Sequence, residues 1–392
     1  MPALPVLYNW RNLFGRRIST SMTVVGIGLV VAVFLLVMSL AEGVRKIFAS
    51  PVSPRAIVAL RVGAQSDAMS VLSRSEYEAV RTLPGIEQDT EGRPLVSPEI
   101  VVLINVSRRD GKRTNVIVRG VEPVAFTLRP AMRLVEGRRF RPGTQEAIVS
   151  KSTRERFAGM GLGDEIRSGR GRWSVVGVFE ASGSPYDSEV WADLGDVQAQ
   201  SRREGILSVV RLRAREESNV PSLMAAIRED QRIKLEAKTE AFYFAEQSGT
   251  ARPIEFLAYL VGIIMAVGAS FGAMNTMYAQ VTARTREIAT LRAVGFSRPG
   301  VLVSFVAESI ALALAGGVLG AAAAYLVVRG LWSGTTGTQN FATFAEVLFH
   351  FELTPSLVLR GLLFSVAIGF AGGLLPAIRA ARLPIISALR QG

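Results

Sequence analysis

Val24-Val25-Gly26-Ile27-Gly28-Leu29-Val30-Val31-Ala32-Val33-Phe34-Leu35-Leu36-Val37 is the centre of a run of 24 uncharged residues between Arg17 and Glu42. A helix rises about 1.5 Å per residue, so about 20 apolar residues cross the roughly 30 Å hydrocarbon layer of a bilayer. The run is long enough to span. Arg16-Arg17 ahead of it and Ser39-Leu40-Ala41 behind it also fit a cleaved signal peptide. The apolar core exceeds the roughly 7 to 15 residues of such a segment, which favours an uncleaved anchor. Measured in the same way, 28 uncharged residues separate Glu255 from Arg284, 20 separate Glu308 from Arg329 and 18 separate Arg360 from Arg379. Val301 to Ala307 extend the third run, and Leu357-Val358-Leu359 precede the fourth. Four membrane helices are therefore predicted, at 21–45, 254–282, 300–328 and 355–378.

Composition agrees with a chain of two kinds of sequence. Its 392 residues are 49% hydrophobic and 20% charged with a mean hydropathy of +0.30, too apolar for an ordinary soluble protein and too charged for one wholly in lipid. A net charge of +12 raises nucleic acid as a partner, but placement removes it. Arg11, Arg16 and Arg17, then Arg284, Arg286, Arg292 and Arg298, then Arg379, Arg382 and Arg390 flank the apolar runs on one side. The loop 329–354 carries no Lys or Arg between Gly330 and Thr354, and holds Glu346 and Glu352. The positive-inside rule then puts both termini and the 283–299 loop in the cytoplasm of a bacterial inner membrane, and 46–250 outside. Leu4, Leu7, Trp10 and Phe14 share one side of a helix over residues 1–20, which suits an interfacial segment ahead of the first span, and 379–392 form a cytoplasmic tail. With no Cys and His350 as the single histidine, zinc sites of the Cys-rich kind, disulfides, thiol nucleophiles and nearly all His-based hydrolases are excluded. No catalytic and no metal-binding residue is expected.

The region outside the membrane reads as α/β. Glu99 to Val106 and Thr114 to Val118 flank Asp110-Gly111, a hairpin turn signal, and a second strand pair, 165–168 and 173–179, flanks Gly169-Arg170-Gly171. Ser73-x-x-Glu76 is a capping box opening a helix through Arg81, closed by Pro84-Gly85. Strand 207–212, helix 220–229 and the alternation Ile233-Lys234-Leu235 make a second strand-helix-strand unit. The expected fold is α+β, with four transmembrane helices and a large extracytoplasmic α/β domain of two βαβ-type units enclosing a β-rich module. Helix two is expected to continue outward through Thr239 to Ser248, with a break near Pro253.

Between spans two and three stands Arg284-Thr285-Arg286-Glu287-Ile288-Ala289-Thr290-Leu291-Arg292-Ala293-Val294-Gly295-Phe296. It resembles the coupling segment of MacB-like and FtsX-like ABC transporter permeases, Arg-x-x-Glu-Ile-x-x-Leu-Arg-Ala-hydrophobic-Gly, with a glutamate on the following helix, here Glu308. Arg286 supplies the basic residue usual before Glu-Ile. The ending from Pro376 to Arg390 is similar to the family's Pro-Ala-x-x-Ala-Ala-x-x-x-Pro-Ile-x-Ala-Leu-Arg, and Arg119-Gly120-Val121, Gly137-Arg138, Gly163-Asp164, Val175 to Phe179 and Ser182 to Trp191 resemble its outer domain.

That resemblance implies a permease without catalysis of its own, moved by a separate ABC ATPase subunit that holds ATP and Mg, and working beside a second permease subunit, a homodimer rather than a heterodimer. An adaptor or outer-membrane channel is a further partner it leaves open, and nucleic acid is not one. Walker A needs Gly-Lys-Ser/Thr to cradle phosphate, whereas the one Gly-Lys here, Gly111-Lys112, is followed by Arg113. Export or extraction of an amphiphile, peptide or lipoprotein is the implied output, with FtsX-like signalling to a cell-wall hydrolase as the alternative. Ile288, Leu291 and Val294, three residues apart, are expected to form an apolar stripe that seats in the ATPase, with Gly295 as a left-handed helix cap. Glu308 is expected to pair with Arg292 or Arg298. Gly268 with Gly272, Gly316 with Gly320, and Gly369 with Gly373 are expected to pack helices closely, within the bundle or across a dimer.

Overall fold

The computed structural model describes residues 17–48, 53–168, 171–330, 336–340 and 343–384. The segment expected as an interfacial helix and the end of the tail, including Ile385 to Arg390, lie outside the described residues, as do the turn residues Gly169 and Arg170. The chain divides into two compact units, one of residues 1–42, 253–333 and 351–392, the other of 43–252 and 334–350.

Among the described residues four helices are long and apolar enough to cross a membrane. They are α1 (Arg17–Phe48), α8 (Ala251–Ala283), α10 (Arg298–Gly330) and α11 (Pro355–Ala381). Ala251–Ala283 is preceded by Glu240–Gln247 (α7) and one tight turn at Ser248–Thr250, so the expected break falls just before Pro253, which sits harmlessly in a first helical turn. Small residues set the packing of the bundle. A Cβ on Gly28 would stand 3.1 Å from the Gly316 carbonyl oxygen, and one on Gly320 would overlap the carbonyl of Gly28, so the first and third spans cross backbone to backbone. Gly369 and Gly373 give the third span the same access to the fourth, where the Ser309 hydroxyl donates to the Gly369 carbonyl at 2.7 Å. Gly268 and Gly272 do not act this way: a Cβ on either meets nothing within 4 Å among the described residues. The glycine that brings spans two and four together is Gly372, against Ser270 and Ala273.

The second unit is built on one ten-stranded sheet. Its strands are β1 (Ala56–Arg61), β3 (Val96–Ser107), β4 (Arg113–Val121), β5 (Arg133–Gly137), β6 (Glu146–Ser150), β7 (Glu165–Ser168), β8 (Gly171–Glu180), β9 (Glu189–Asp193), β11 (Val209–Arg213) and β12 (Leu235–Thr239). The order is β12-β1-β11-β3-β4-β9-β6-β8-β5, with β7 paired to β8. Ser107 pairs with Arg113 across the hairpin predicted at Asp110-Gly111, and Gly111 supplies φ +82° to its turn. Ser73 and Glu76 form the capping box of α2 (Arg74–Arg81), and α6 (Val220–Glu229) follows β11. Ile233 lies ahead of the strand expected there, which begins at Leu235. The β-rich module continues the sheet of the flanking units, because β3 pairs with β11 on one side and β4 on the other. A short pair, β2 (Leu72–Ser73) with β10 (Ile206–Leu207), stands apart.

The connection between spans three and four holds strands too. Thr336–Gln339 (β13) and Glu346–Phe349 (β14) pair antiparallel, and this hairpin is part of the second unit: Leu348 lies in the same hydrophobic core as Val118 and Val190, and its N–H donates to the Ser188 hydroxyl at 2.8 Å.

Candidate coupling site

The helix α9 (Thr285–Ala293) follows span two through Arg284, whose φ of −107° and ψ of 14° bend the chain between the two. One face of α9 is spent on the protein itself. Ile288 is 2% exposed and packs with Met277, Val281, Val301, Phe305 and Ala377, the near ends of spans two, three and four. Ala289 is buried beside it, whereas Val294 is 75% exposed. The expected stripe of Ile288, Leu291 and Val294 is thus split. Six residues at about 100° each put Ile288 and Val294 about 120° apart around the axis, so a spacing of three drifts off one face. Arg286, Glu287, Thr290, Ala293, Val294 and Gly295 are the exposed side, with Leu291, Arg292 and Phe296 at its border.

Two arginines fasten this helix. Arg284 Nη1 reaches both Glu308 carboxylate oxygens, at 3.0 and 3.1 Å, with Glu308 nearly free of solvent. Arg292 Nη1 donates to the carbonyl of Ala381 at 2.7 Å, satisfying one of the open acceptors at the end of span four. The partner of Glu308 is therefore Arg284, not Arg292 or Arg298. Arg292 is occupied elsewhere, and Arg298 lies ten residues back along the helix, about 15 Å by rise alone. Beyond α9, Gly295 takes φ +106°, and the Phe296 N–H donates to the Leu291 carbonyl at 3.1 Å, the bond of a left-handed helix ending. Ser297 then caps span three through the Gly300 N–H at 3.2 Å.

Around the first residue of α7, within the α/β unit, lies a group of buried charges that sequence reasoning missed. Arg119 donates bidentately to Glu189 (2.7 and 2.7 Å), to Glu99 (3.0 Å) and to Asp67 (2.9 Å). Arg129 reaches Glu99 at 2.6 Å, and Arg211 binds Glu240, the first residue of α7. Tyr186 also donates to Glu240, at 2.6 Å, and the Asp67 N–H donates to the Tyr243 hydroxyl at 3.0 Å. The head of α7 is thus keyed into the domain by charge. Burial pushes the Asp67 and Glu99 carboxyls up, but the guanidiniums around them more than reverse it and leave both below the usual range. The overlooked signal was a charge at inward-facing positions of apolar strands, Glu99 before Ile100-Val101, Arg119 after Val116-Ile117-Val118, Arg211 after Val209-Val210. Among the described residues, no cluster of His, Asp and Glu has the makings of a metal site.

The comparisons with known proteins match this anatomy. Residues 20–230 fit the MacB-like periplasmic core domain, and residues 259–385 fit the FtsX-like permease C-terminal domain. The macrolide export ATP-binding/permease protein MacB of Shewanella oneidensis is 26% identical over 405 residues, covering 96% of this chain and 58% of that protein. The MacB protein of Escherichia coli is 26% identical over 391 residues, covering 95% of the chain and 58% of that protein, so the chain spans a little over half the length of the curated relatives it matches. Among solved structures, the periplasmic region of MacB from Actinobacillus actinomycetemcomitans overlaps 48% of the chain and 90% of its own at 12% identity and TM-score 0.37. The extracellular domain of the noncanonic ABC-type transporter YknZ from Gram-positive bacteria overlaps 47% of the chain and 100% of its own at 15% identity and TM-score 0.36. With the first of the two domain models alone covering more than half of its residues, this chain belongs to the MacB/FtsX-like family of ABC transporter permeases.

Proposed function

We propose that the chain is the membrane subunit of an ATP-driven ABC exporter, converting the motion of an ATPase on the cytoplasmic face of the bacterial inner membrane into work by its α/β domain outside. The observation that carries the reading is the division of α9 into two faces. Ile288 welds it to spans two, three and four, Arg284 and Arg292 tie it to Glu308 and Ala381, and the opposite side, with Val294, is exposed. A helix held this firmly moves the spans with it when its free face is pushed.

ATP and Mg are assigned in this proposal to a partner ABC ATPase that docks on the exposed face of α9. In this proposal the permease works as a pair of like subunits, and its substrate is an amphiphile, peptide or lipoprotein drawn from or across the outer leaflet. Tagged chain extracted in mild detergent is expected to bring an ATP-binding protein with it, and Val294→Asp is expected to lose that protein while keeping the four-span bundle intact. Retention of the ATPase by Val294→Asp and by Arg286→Glu alike would contradict the assignment of the docking face.

A further inference from the structure

We infer that the β13–β14 hairpin is a second transmission element, latched to the α/β domain through Glu346, and that Glu346 is a positioning residue for the domain's response to ATP. The inference rests on the proposed coupling role and adds a route to it: spans three and four reach the domain by their own connection, in parallel with the helix from span two.

A turn between two neighbouring helices needs only about 2 to 8 residues. Here the stretch between Gly330 and Pro355 holds two strands, Thr336–Gln339 and Glu346–Phe349, that pair antiparallel and belong to the α/β unit. An isolated hairpin of four-residue strands is marginal in water, so its order comes from what it docks on. Ala345 packs with Val101 and Ile117, and Leu348 enters the main core. Between them the Glu346 carboxylate, 1% exposed, receives Arg108 Nε at 2.7 Å and Arg156 at 3.3 Å. Burying a carboxylate costs free energy unless it is paired and hydrogen-bonded, and the two arginines come from separate parts of the domain: Arg108 follows β3 and Arg156 ends the short helix after β6. The hairpin's own sequence is shaped around this group. A Cβ on Gly337 would overlap the Glu346 carboxylate, so the glycine in β13 keeps its path open. At the other edge, a Cβ on Gly43 would overlap the carbonyl of His350, which lets the outward end of α1 lie against the strand. A tether meant only to turn the chain would need neither glycine nor a desolvated acid.

With Arg284 holding span three and Arg292 holding span four at the opposite end, a push on α9 travels along both helices to this latch. Without it the hairpin is slack, and the domain receives motion from span two alone.

The absence of cysteine from the sequence makes the test clean. Full-length chain, co-purified with its ATPase and placed in lipid nanodiscs, receives a single cysteine at Val135 on the domain's edge strand or at Val294 on α9, both exposed. Maleimide labelling rates are read with and without a non-hydrolysable ATP analogue, alongside amide exchange of residues 346–349. In the parent, both cysteines are expected to change rate on nucleotide binding. In Glu346→Gln and in Gly337→Ala, amide exchange at 346–349 is expected to rise tenfold or more and the Val135 response to fall at least threefold, with the Val294 response kept. The charge-exchanged variant Arg108→Glu with Glu346→Arg is expected to recover the Val135 response. A Val135 response unchanged in Glu346→Gln, although the hairpin amides have been released, overturns the latch. A parent in which Val294 does not respond overturns the coupling role itself, a separate failure.

Discussion

Ile288 and Val294 stand six residues apart on one short helix, yet the structure gives them opposite fates, and the contrast can be measured. Ile288→Ala removes three buried carbons, about 2.4 kcal/mol at roughly 0.8 kcal/mol each. The surrounding Val281, Phe305 and Ala377 belong to three long helices that cannot collapse freely into the gap, so the cavity raises the loss to about 3–4 kcal/mol. Val294→Ala removes two carbons already 75% exposed and should change stability by no more than about 0.5 kcal/mol. Thermal or denaturant unfolding of the purified full chain in one detergent reads both quantities, and retention of the ATPase on the tagged chain reads what Val294 contributes to docking. Ile288→Ala is expected to unfold well below the parent, while Val294→Ala unfolds with it and weakens ATPase retention severalfold. Equal stability losses in the two variants, or a loss at Val294 alone, would refute the division of α9 into an inward and an outward face.

Other outcomes follow from the same geometry. Asp67→Asn strips Arg119 and Arg211 of a buried counter-charge and should destabilise the α/β domain by about 3–5 kcal/mol, read by chemical denaturation. Asp67 and Glu99 have folded pKa values below their unfolded ones, so their contribution is fully present above about pH 4 to 5, the ordinary carboxylate range, and is lost as pH falls through the lower folded values. Melting temperature should therefore be flat near neutrality and fall on acidification. Asp187, pushed up by burial, works in the opposite sense, and comparison with Asp67→Asn plus Glu99→Gln isolates the charge group: the double variant should show a shallower acid limb. Gly320→Val places a branched side chain on the Gly28 carbonyl and Val31 and should separate spans one and three, whereas Gly272→Val, with open space around it in this chain, should leave monomer stability within about 0.5 kcal/mol.

The four spans were legible because charge is excluded from them, a signal that needs no knowledge of tertiary contacts. The same holds for local devices: the Asp110-Gly111 turn and the Ser73–Glu76 capping box are decided within a few residues. What depended on distant partners was not. Ile288 is apolar whether it faces a partner or its own bundle, and only the ends of three other helices decide which. Glu308 could be assigned an arginine by charge but not the right one, since the bend at Arg284 sets the distance. The hairpin at 336–349 was the largest omission. Its strands are four residues each, shorter than periodicity can register, and Glu346 counted only as evidence of topology until Arg108 and Arg156, roughly two hundred residues earlier, were brought to it. The buried charge group failed for a related reason: Asp67, Glu99, Glu189 and Glu240 are scattered in sequence and meet only across the sheet.

The central claim, that the exposed face of α9 lies in the cytoplasm against an ATPase, is tested most directly by a single cysteine at Val294 probed with a membrane-impermeant maleimide. The account predicts no labelling in intact cells, labelling in inside-out vesicles stripped of the ATPase, and protection when the ATPase is restored. Labelling in intact cells with the outer membrane made permeable would put α9 on the wrong side and contradict the account.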